Sequence, residues 1–345
     1  MPHPSPDPPH GGGPYPRRAA AAAARSGAIG PIAILLASFQ GARHIAAQLA
    51  SIEGQSYPHW RLIVSDDGSR DDTRAIIAAF AARHPSGQVV LSAGPGQGAT
   101  RNFLHLIDLA PAGTAIAFCD QDDVWFPHKL ARAAEALDRL AEPAHYAART
   151  VIARDDLVPV TESRRFERPF GFRNALVQAC MAGNTSVFNA AAARLLKAGS
   201  AAARSAAIES HDWWAYQLSS GAGARLIHDG RPALLYRQHA RSEMGRNDTA
   251  AAMARRFGKL FAGDYGLWVA ANLAALAPMH GHLTPENREI LDGFAAALAL
   301  PGPLAARRMR ALGLYRHTAA GTAALYAAAA AGRLRQPRSP RIRIR

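Results

Sequence analysis

Cysteine is scarce in this chain. Its 345 residues hold two, Cys119 and Cys180, outside any CxxC spacing, which argues against a disulfide framework or a zinc knuckle and predicts a reducing compartment. Long apolar runs are also missing. Ile32 to Ala37 and the alanine-rich Ala319 to Ala331 both fall short of the ~20 residues that a membrane-spanning helix needs. Arg17 and Arg18 lead only into six alanines and then Arg25, whereas an export signal wants about 7 to 15 continuous apolar residues. A cytoplasmic protein is expected. Acidic residues are in deficit: 40 Lys+Arg against 26 Asp+Glu give a net charge of +14, which suits polyanionic partners such as nucleic acid, anionic lipid headgroups or phosphorylated substrates.

What is present divides the chain. Seven prolines in the first sixteen residues predict a disordered Pro/Ala-rich tail over residues 1–28. Ile32 to Ala37 and Arg61 to Ser65 read as strands buried on both faces, with a helix from Ala42 to Glu53 between them. The alternation continues with a helix from Asp72 to Arg83, a strand from Gln88 to Leu91, a helix from Ala99 to Leu109 and a strand from Ala115 to Cys119. The fold class is therefore α/β, a doubly wound, mostly parallel sheet flanked by helices, over residues 29–248. Such sheets bind ligands beyond the carboxyl ends of their strands. Residues 249–332 read as an alanine-rich helical appendage broken by prolines. Residues 333–345 read as a basic tail with six arginines, solvated until it meets an anion.

Carboxylates crowd those strand ends. Asp66-Asp67-Gly68-Ser69-Arg70-Asp71-Asp72 contains an Asp-Gly turn in which Asp71 or Ser69 can cap the next helix. A turn needs one short polar residue rather than four carboxylates, so a second use is expected, in accepting hydrogen bonds from a nucleobase or ribose. Asp120-Gln121-Asp122-Asp123 follows the fourth strand, and a helix cap again accounts for part of it. Three neighbouring carboxylates repel unless a cation offsets them, and hard oxygen ligands suit Mg²⁺ or Mn²⁺ with positions open for phosphate. In Ser210-His211-Asp212-Trp213-Trp214, Ser210 can cap and Asp212 can favour a helix N-terminus; a carboxylate beside tryptophans also suits a general base next to a sugar. His239, ending a strand from Ala233, either completes a metal shell or bonds in the core. Arg101 follows the Gly94-Pro95-Gly96-Gln97-Gly98 loop, whose spacing is not the dinucleotide-binding fingerprint, and reaches either phosphates or solvent.

Together these residues resemble family 2 glycosyltransferases of the GT-A fold, in particular bacterial rhamnosyltransferase-like members. The resemblance covers roughly residues 31–245. It rests on Leu36-Ala37-Ser38-Phe39-Gln40-Gly41, Gln55-Ser56-Tyr57, the Asp-Asp-Gly-Ser run, Gln121 through Leu130, Gly183-Asn184-Thr185 and His211 through Trp214. It implies that Ala37 and Phe39 touch the donor nucleotide, that Asp67 and Arg101 contact its base, and that Asp120 and Asp122 form a DxD pair whose second member binds the metal under the donor diphosphate. Asp212 corresponds to the catalytic base, and His239 matches loosely as a metal ligand. Phe39-Gln40-Gly41 departs from the family's frequent Tyr-Asn-Gly, and the stretch after His239 departs on the acceptor side. The processive QxxRW signature is absent, which favours transfer of a single sugar.

The function expected is inverting, metal-dependent transfer from a dTDP- or UDP-sugar, rhamnose among the candidates, to a saccharide or lipid-linked acceptor in cell-surface polysaccharide synthesis. Two competing readings are a haloacid-dehalogenase-like phosphatase using Asp120 as nucleophile, and a basic nucleic-acid-binding protein. The first wants its nucleophile after the first core strand and leaves Asp67 without a use. The second finds no recognised nucleic-acid module. An anionic membrane surface on the inner face of the cell membrane suits the basic C-terminal segment better. Flotation with anionic vesicles should depend on residues 333–345, and equal flotation without them would remove the tail from this reading.

Overall fold

The structure is a computed structural model and describes residues 30–238 and 264–335. The expected N-terminal tail (residues 1–28), His239, residues 249–263 of the expected helical appendage and residues 336–345 of the basic tail lie outside the described residues. β1 (Ile32–Ser38), β2 (Trp60–Asp66), β3 (Val89–Ala93) and β4 (Ala115–Asp120) alternate with α1 (Ile45–Glu53), α2 (Thr73–Ala81) and α3 (Ala99–Leu109), as the two-sided apolar runs predict. The helix expected from Ala42 begins later, at Ile45. The backbone before it is held in a turn, where the Gly41 and Ala42 amides donate to the Thr73 hydroxyl and the Asp71 carboxylate.

The chain then adds β5 (Val124–Trp125), α4 (Lys129–Leu137), β6 (Ala144–Ala148), β7 (Val151–Arg154), β8 (Pro159–Glu162) and α5 (Phe172–Ala175). A single 3-10 turn, Gly183–Thr185, leads into β9 (Val187–Phe188), α6 (Ala190–Ser205), α7 (His211–Gly221), β10 (Arg225–Asp229) and β11 (Leu234–Gln238). The main sheet has the order β10-β6-β9-β4-β1-β2-β3. Every pairing in it is parallel except those of β9, which runs antiparallel to β4 and β6. β5, β11, β7 and β8 form a second, four-stranded sheet.

The core lies on both faces of β1. Ala33 and Leu35 face one hydrophobic cluster with Phe103, Phe118 and Trp214, while Ile32, Ile34 and Leu36 face another with Trp60, Val64 and Leu130. Each fully buried Ile or Leu contributes about 1.5–3 kcal/mol. The helices Asp264–Leu276, Pro285–Leu298, Gly302–Ala311 and Ala319–Ala330 join the first cluster through Tyr265 and Val269, Phe294, Met309 and Leu325 respectively. Tyr265 also donates to the Val177 carbonyl at 2.6 Å and Asn287 to the Gly221 carbonyl at 2.9 Å. None of the described helices is long and apolar enough to cross a membrane.

Several histidines are buried in neutral form. His145 lies between the Ser186 and Ser219 hydroxyls, at 2.9 and 3.2 Å, and burial pulls it down to about 3. Burial likewise pulls His211, His228 and His317 to about 4. In the unfolded chain each would titrate near 6.5, so between about pH 6.5 and 4 the unfolded state binds protons that the native state refuses. Stability is then complete above pH 6.5 and falls on acidification, by up to about 1.4 kcal/mol per pH unit for each fully buried ring. Asp123, raised to about 8, acts with opposite sign across that window but counts as one group. With half-buried His211 and His228 discounted for solvent screening, the net slope should be roughly 2–3 kcal/mol per pH unit. Urea midpoints at pH 7.0 and pH 5.0 check this, and equal midpoints would refute it.

Candidate functional site

Strand register brings the predicted residues to one edge. Ser38 at the end of β1 pairs with Asp66 at the end of β2, Asp66 with Ala93 of β3, and Ala37 with Asp120 of β4. The carboxyl ends of four parallel strands therefore coincide, and Phe39, Asp67 and Asp122 follow directly from them. Phe39 is 54% exposed, an apolar ring left outside the core. Its backbone is clamped by Gln121, whose side chain accepts from Phe39 N at 3.0 Å and donates to Phe39 O at 2.9 Å. A side chain on Gly41 would collide with that Gln121 amide.

The Asp66–Asp72 run splits its duties. Asp66 is buried and accepts from Ser38 and Ser69 hydroxyls at 2.9 and 2.6 Å and from Arg74 at 3.2 Å. Burial alone would raise its pKa, but these hydrogen bonds outweigh it and hold the group below the usual carboxylate range. Asp67 accepts the Gly96 and Gly98 amides, both at 2.7 Å. It thereby shapes the glycine loop that delivers Arg101 to the first turn of α3. Asp71 accepts from Thr73 N at 3.1 Å, a turn just ahead of α2 rather than the expected cap: the cap position is Asp72, and no side chain caps that helix.

The fourth-strand cluster is differentiated by its surroundings. Asp120 and Asp122 are half-buried, whereas Asp123 is fully buried. Asp123 is not the cap of α4: that helix has no side-chain cap, and Asp123 instead accepts from Asn184 Nδ2 at 2.7 Å and Arg237 N at 3.3 Å. The reason is topological. β11 returns antiparallel to β5 and lays Arg237 across the cluster, where its Nε donates to the Asp122 carbonyl at 2.8 Å. Burial, with Asp122 alongside, pushes Asp123 up to about 8. Lys129 is also fully buried, and burial pulls it down to about 7; its Nζ stands 3.2 Å from the centre of the Trp125 ring and donates to the Asn184 carbonyl at 2.6 Å.

Because β9 is antiparallel, the turn that precedes it, Gly183–Thr185, lies at the same edge as Asp120. There the Gly183 amide donates to Asp212 Oδ2 at 3.1 Å, while Asp212 Oδ1 accepts from Trp213 N at 2.7 Å and from the Ser210 hydroxyl. Ser210 thus occupies the cap position of α7 without capping it, its hydroxyl being committed to Asp212. His211 stacks on Phe103 at 3.9 Å, and a side chain on Gly183 would stand 3.0 Å from both Asp212 Cβ and His211 Nε2. The structure therefore gathers Ala37, Phe39, Asp67, Arg101, Asp120, Asp122 and Asp212 along one rim. His239 follows β11 just beyond the described residues. Sequence reasoning missed Arg237 and the supporting parts of Asn184 and Lys129; a lysine on the apolar face of an amphipathic helix was the available signal.

Among the described residues no three His, Cys, Asp or Glu side chains stand close enough to hold a metal ion by themselves. Asp120 and Asp122 supply hard oxygens at a half-open strand end, a pair that suits Mg²⁺ or Mn²⁺ taken up together with phosphate oxygens.

The profile of Glycosyl transferase family 2 matches residues 34–194. The dTDP-rhamnosyl transferase RfbG of Shigella flexneri is 31% identical over 235 residues, covering 65% of this chain and 78% of that protein. An uncharacterized glycosyltransferase of Nostoc sp. is 31% identical over 105 residues, 30% of this chain and 32% of that one, so the chain spans about a third of that relative's length. The crystal structure of S. aureus TarS 1-349 superposes with a TM-score of 0.47 and 11% identity, over 87% of this chain and 90% of that one.

Proposed function

Because the chain belongs to glycosyltransferase family 2, we propose that it transfers a single sugar, with inversion, from a nucleoside-diphosphate sugar to a saccharide or lipid-linked acceptor in cell-surface polysaccharide synthesis. The observation that carries this reading is the hydrogen-bonded path from the strand-end carboxylates through Asn184 and Gly183 to Asp212. Donor-side groups and a base thereby share one rim. Phe39, Asp67 and Arg101 face the nucleoside, Asp120 the ribose or the cation, and Asp122 the cation. Asp212 takes the proton of the acceptor hydroxyl as its oxygen attacks the anomeric carbon. A divalent cation held by Asp122 and Asp120, with His239 as a further ligand, would supply charge stabilisation for the departing nucleoside diphosphate. The transfer chemistry is assigned to residues 29–248, with the C-terminal helices as its support and the basic tail meeting an anionic membrane surface. The phosphatase and nucleic-acid readings lapse with membership of this family.

Likeness to the Shigella protein favours a dTDP-sugar, with rhamnose the first candidate. In a thermal-shift panel of UDP-, dTDP- and GDP-sugars with Mn²⁺, dTDP-rhamnose should raise the melting temperature most, and the rise should shrink when EDTA replaces Mn²⁺. A larger rise with a UDP- or GDP-sugar would overturn the donor assignment, and no rise with any of them would count against the site.

A further inference from the structure

We infer that Asn184, gripped by Asp123 and Lys129, is a positioning residue for Asp212, so that the buried polar group beneath the donor carboxylates sets where the base stands. This rests on the reading of Asp212 as the base. Asn184 is held at two independent points: its side chain donates to Asp123 Oδ2 at 2.7 Å, and its carbonyl accepts from Lys129 Nζ at 2.6 Å. The preceding peptide is Gly183, whose amide donates to Asp212 Oδ2 at 3.1 Å. The 3-10 turn closes on itself through Ser186 N to Gly183 O at 2.8 Å, so it moves as a unit with Asn184.

Burial shows that the link is built at a cost. Lys129 and Asp123 are both 0% exposed and Asn184 is 7% exposed. An apolar residue would fill the Lys129 position on α4 without the desolvation penalty that a buried amine carries. What the lysine adds is a donor aimed at one carbonyl, the carbonyl that fixes the Gly183–Thr185 turn. Asp123 is in turn tied to β11 through Arg237 N at 3.3 Å, and Arg237 Nε holds the Asp122 carbonyl at 2.8 Å. The same group therefore braces the backbone of the cation-side carboxylate and the amide that orients the base. A shift of about 1 Å in a reacting group can cost up to about 100-fold in rate.

The test is a double-mutant cycle. Release of nucleoside diphosphate is followed with whichever of dTDP-rhamnose, UDP-glucose and GDP-mannose turns over fastest, and binding of the matching nucleoside diphosphate by calorimetry. Asn184→Ala should lower kcat by about 10- to 100-fold, with nucleoside diphosphate affinity within about twofold of wild type. In an Asp212→Asn background the same change should cost less than about twofold, because groups that act as one unit are not additive. Equal losses in both backgrounds, or unchanged kcat beside a lowered melting temperature, would make Asn184 merely structural and overturn the inference. If Asn184→Ala does not fold, Asn184→Ser cuts the Asp123 grip and Lys129→Met the separate grip on the Asn184 carbonyl, and each carries the same expectations. Wild-type turnover in Asp212→Asn alone would refute the base assignment instead, a result distinct from a failure of the coupling.

Discussion

Asp212→Asn should lose about 10²- to 10⁴-fold in turnover, the usual contribution of a positioned base, while binding the nucleoside diphosphate almost as wild type does. At about 1.4 kcal/mol per decade this is a loss of roughly 3–5 kcal/mol in transition-state stabilisation. Asparagine preserves the volume and keeps one acceptor oxygen for the Trp213 amide and the Ser210 hydroxyl. Its NH₂ then faces the Gly183 amide, donor against donor, so a stability cost of about 1 kcal/mol accompanies the kinetic loss. The kinetic effect exceeds that cost, so the two separate in one experiment: initial rates well below the melting temperature, beside a calorimetric titration with nucleoside diphosphate. Turnover within threefold of wild type would end the assignment. Loss of turnover matched by loss of nucleotide binding would make Asp212 a donor-side residue instead.

The amino-terminal half was legible because its signals are local. Runs such as Ile32 to Leu36 are fully buried and read as strands without knowledge of their neighbours, and α3 begins and ends where its pattern says. From Val124 to Phe188 the decisive pairings are remote. β5 and β9 are two residues each, too short for any periodicity, and exist because β11, β4 and β6 pair with them. Of the second sheet only β11 (Leu234–Gln238) is legible, as the strand read from Ala233; β5, β7 and β8 are short segments that exist through their pairings. In the site, the carboxylates were found by type and by their place after strands. Their separate duties were not, because Asp123 is defined by partners 61 and 114 positions away. Lys129 reads in sequence as one more residue of a helix, and it is the remote turn before β9 that gives its amine a carbonyl to bond.

Asp122→Ala should remove cation-dependent binding of the donor and leave the fold intact. The Asp122 backbone is secured independently of its carboxylate by Arg237 Nε, and the residue is half-buried, so truncation opens no core cavity. Removing one of two hard oxygens in a pair that relies on phosphate to complete the shell should weaken nucleoside diphosphate affinity in Mn²⁺ by roughly 10²- to 10³-fold, in keeping with the several kcal/mol that a bound cation supplies to phosphoryl charge. Affinity in EDTA should stay at the wild-type EDTA value. Asp123→Ala is the contrasting variant: it strips a partner from the Asn184 amide and from Arg237 N inside the core, at about 1–3 kcal/mol for each group left unsatisfied, and should appear first as a lowered melting temperature. Calorimetry with and without Mn²⁺ on the wild type and both variants separates coordination from scaffolding. If wild-type affinity is the same in Mn²⁺ and EDTA, the cation leaves the proposal, and Asp120 and Asp122 must be reread as hydrogen-bond acceptors for ribose.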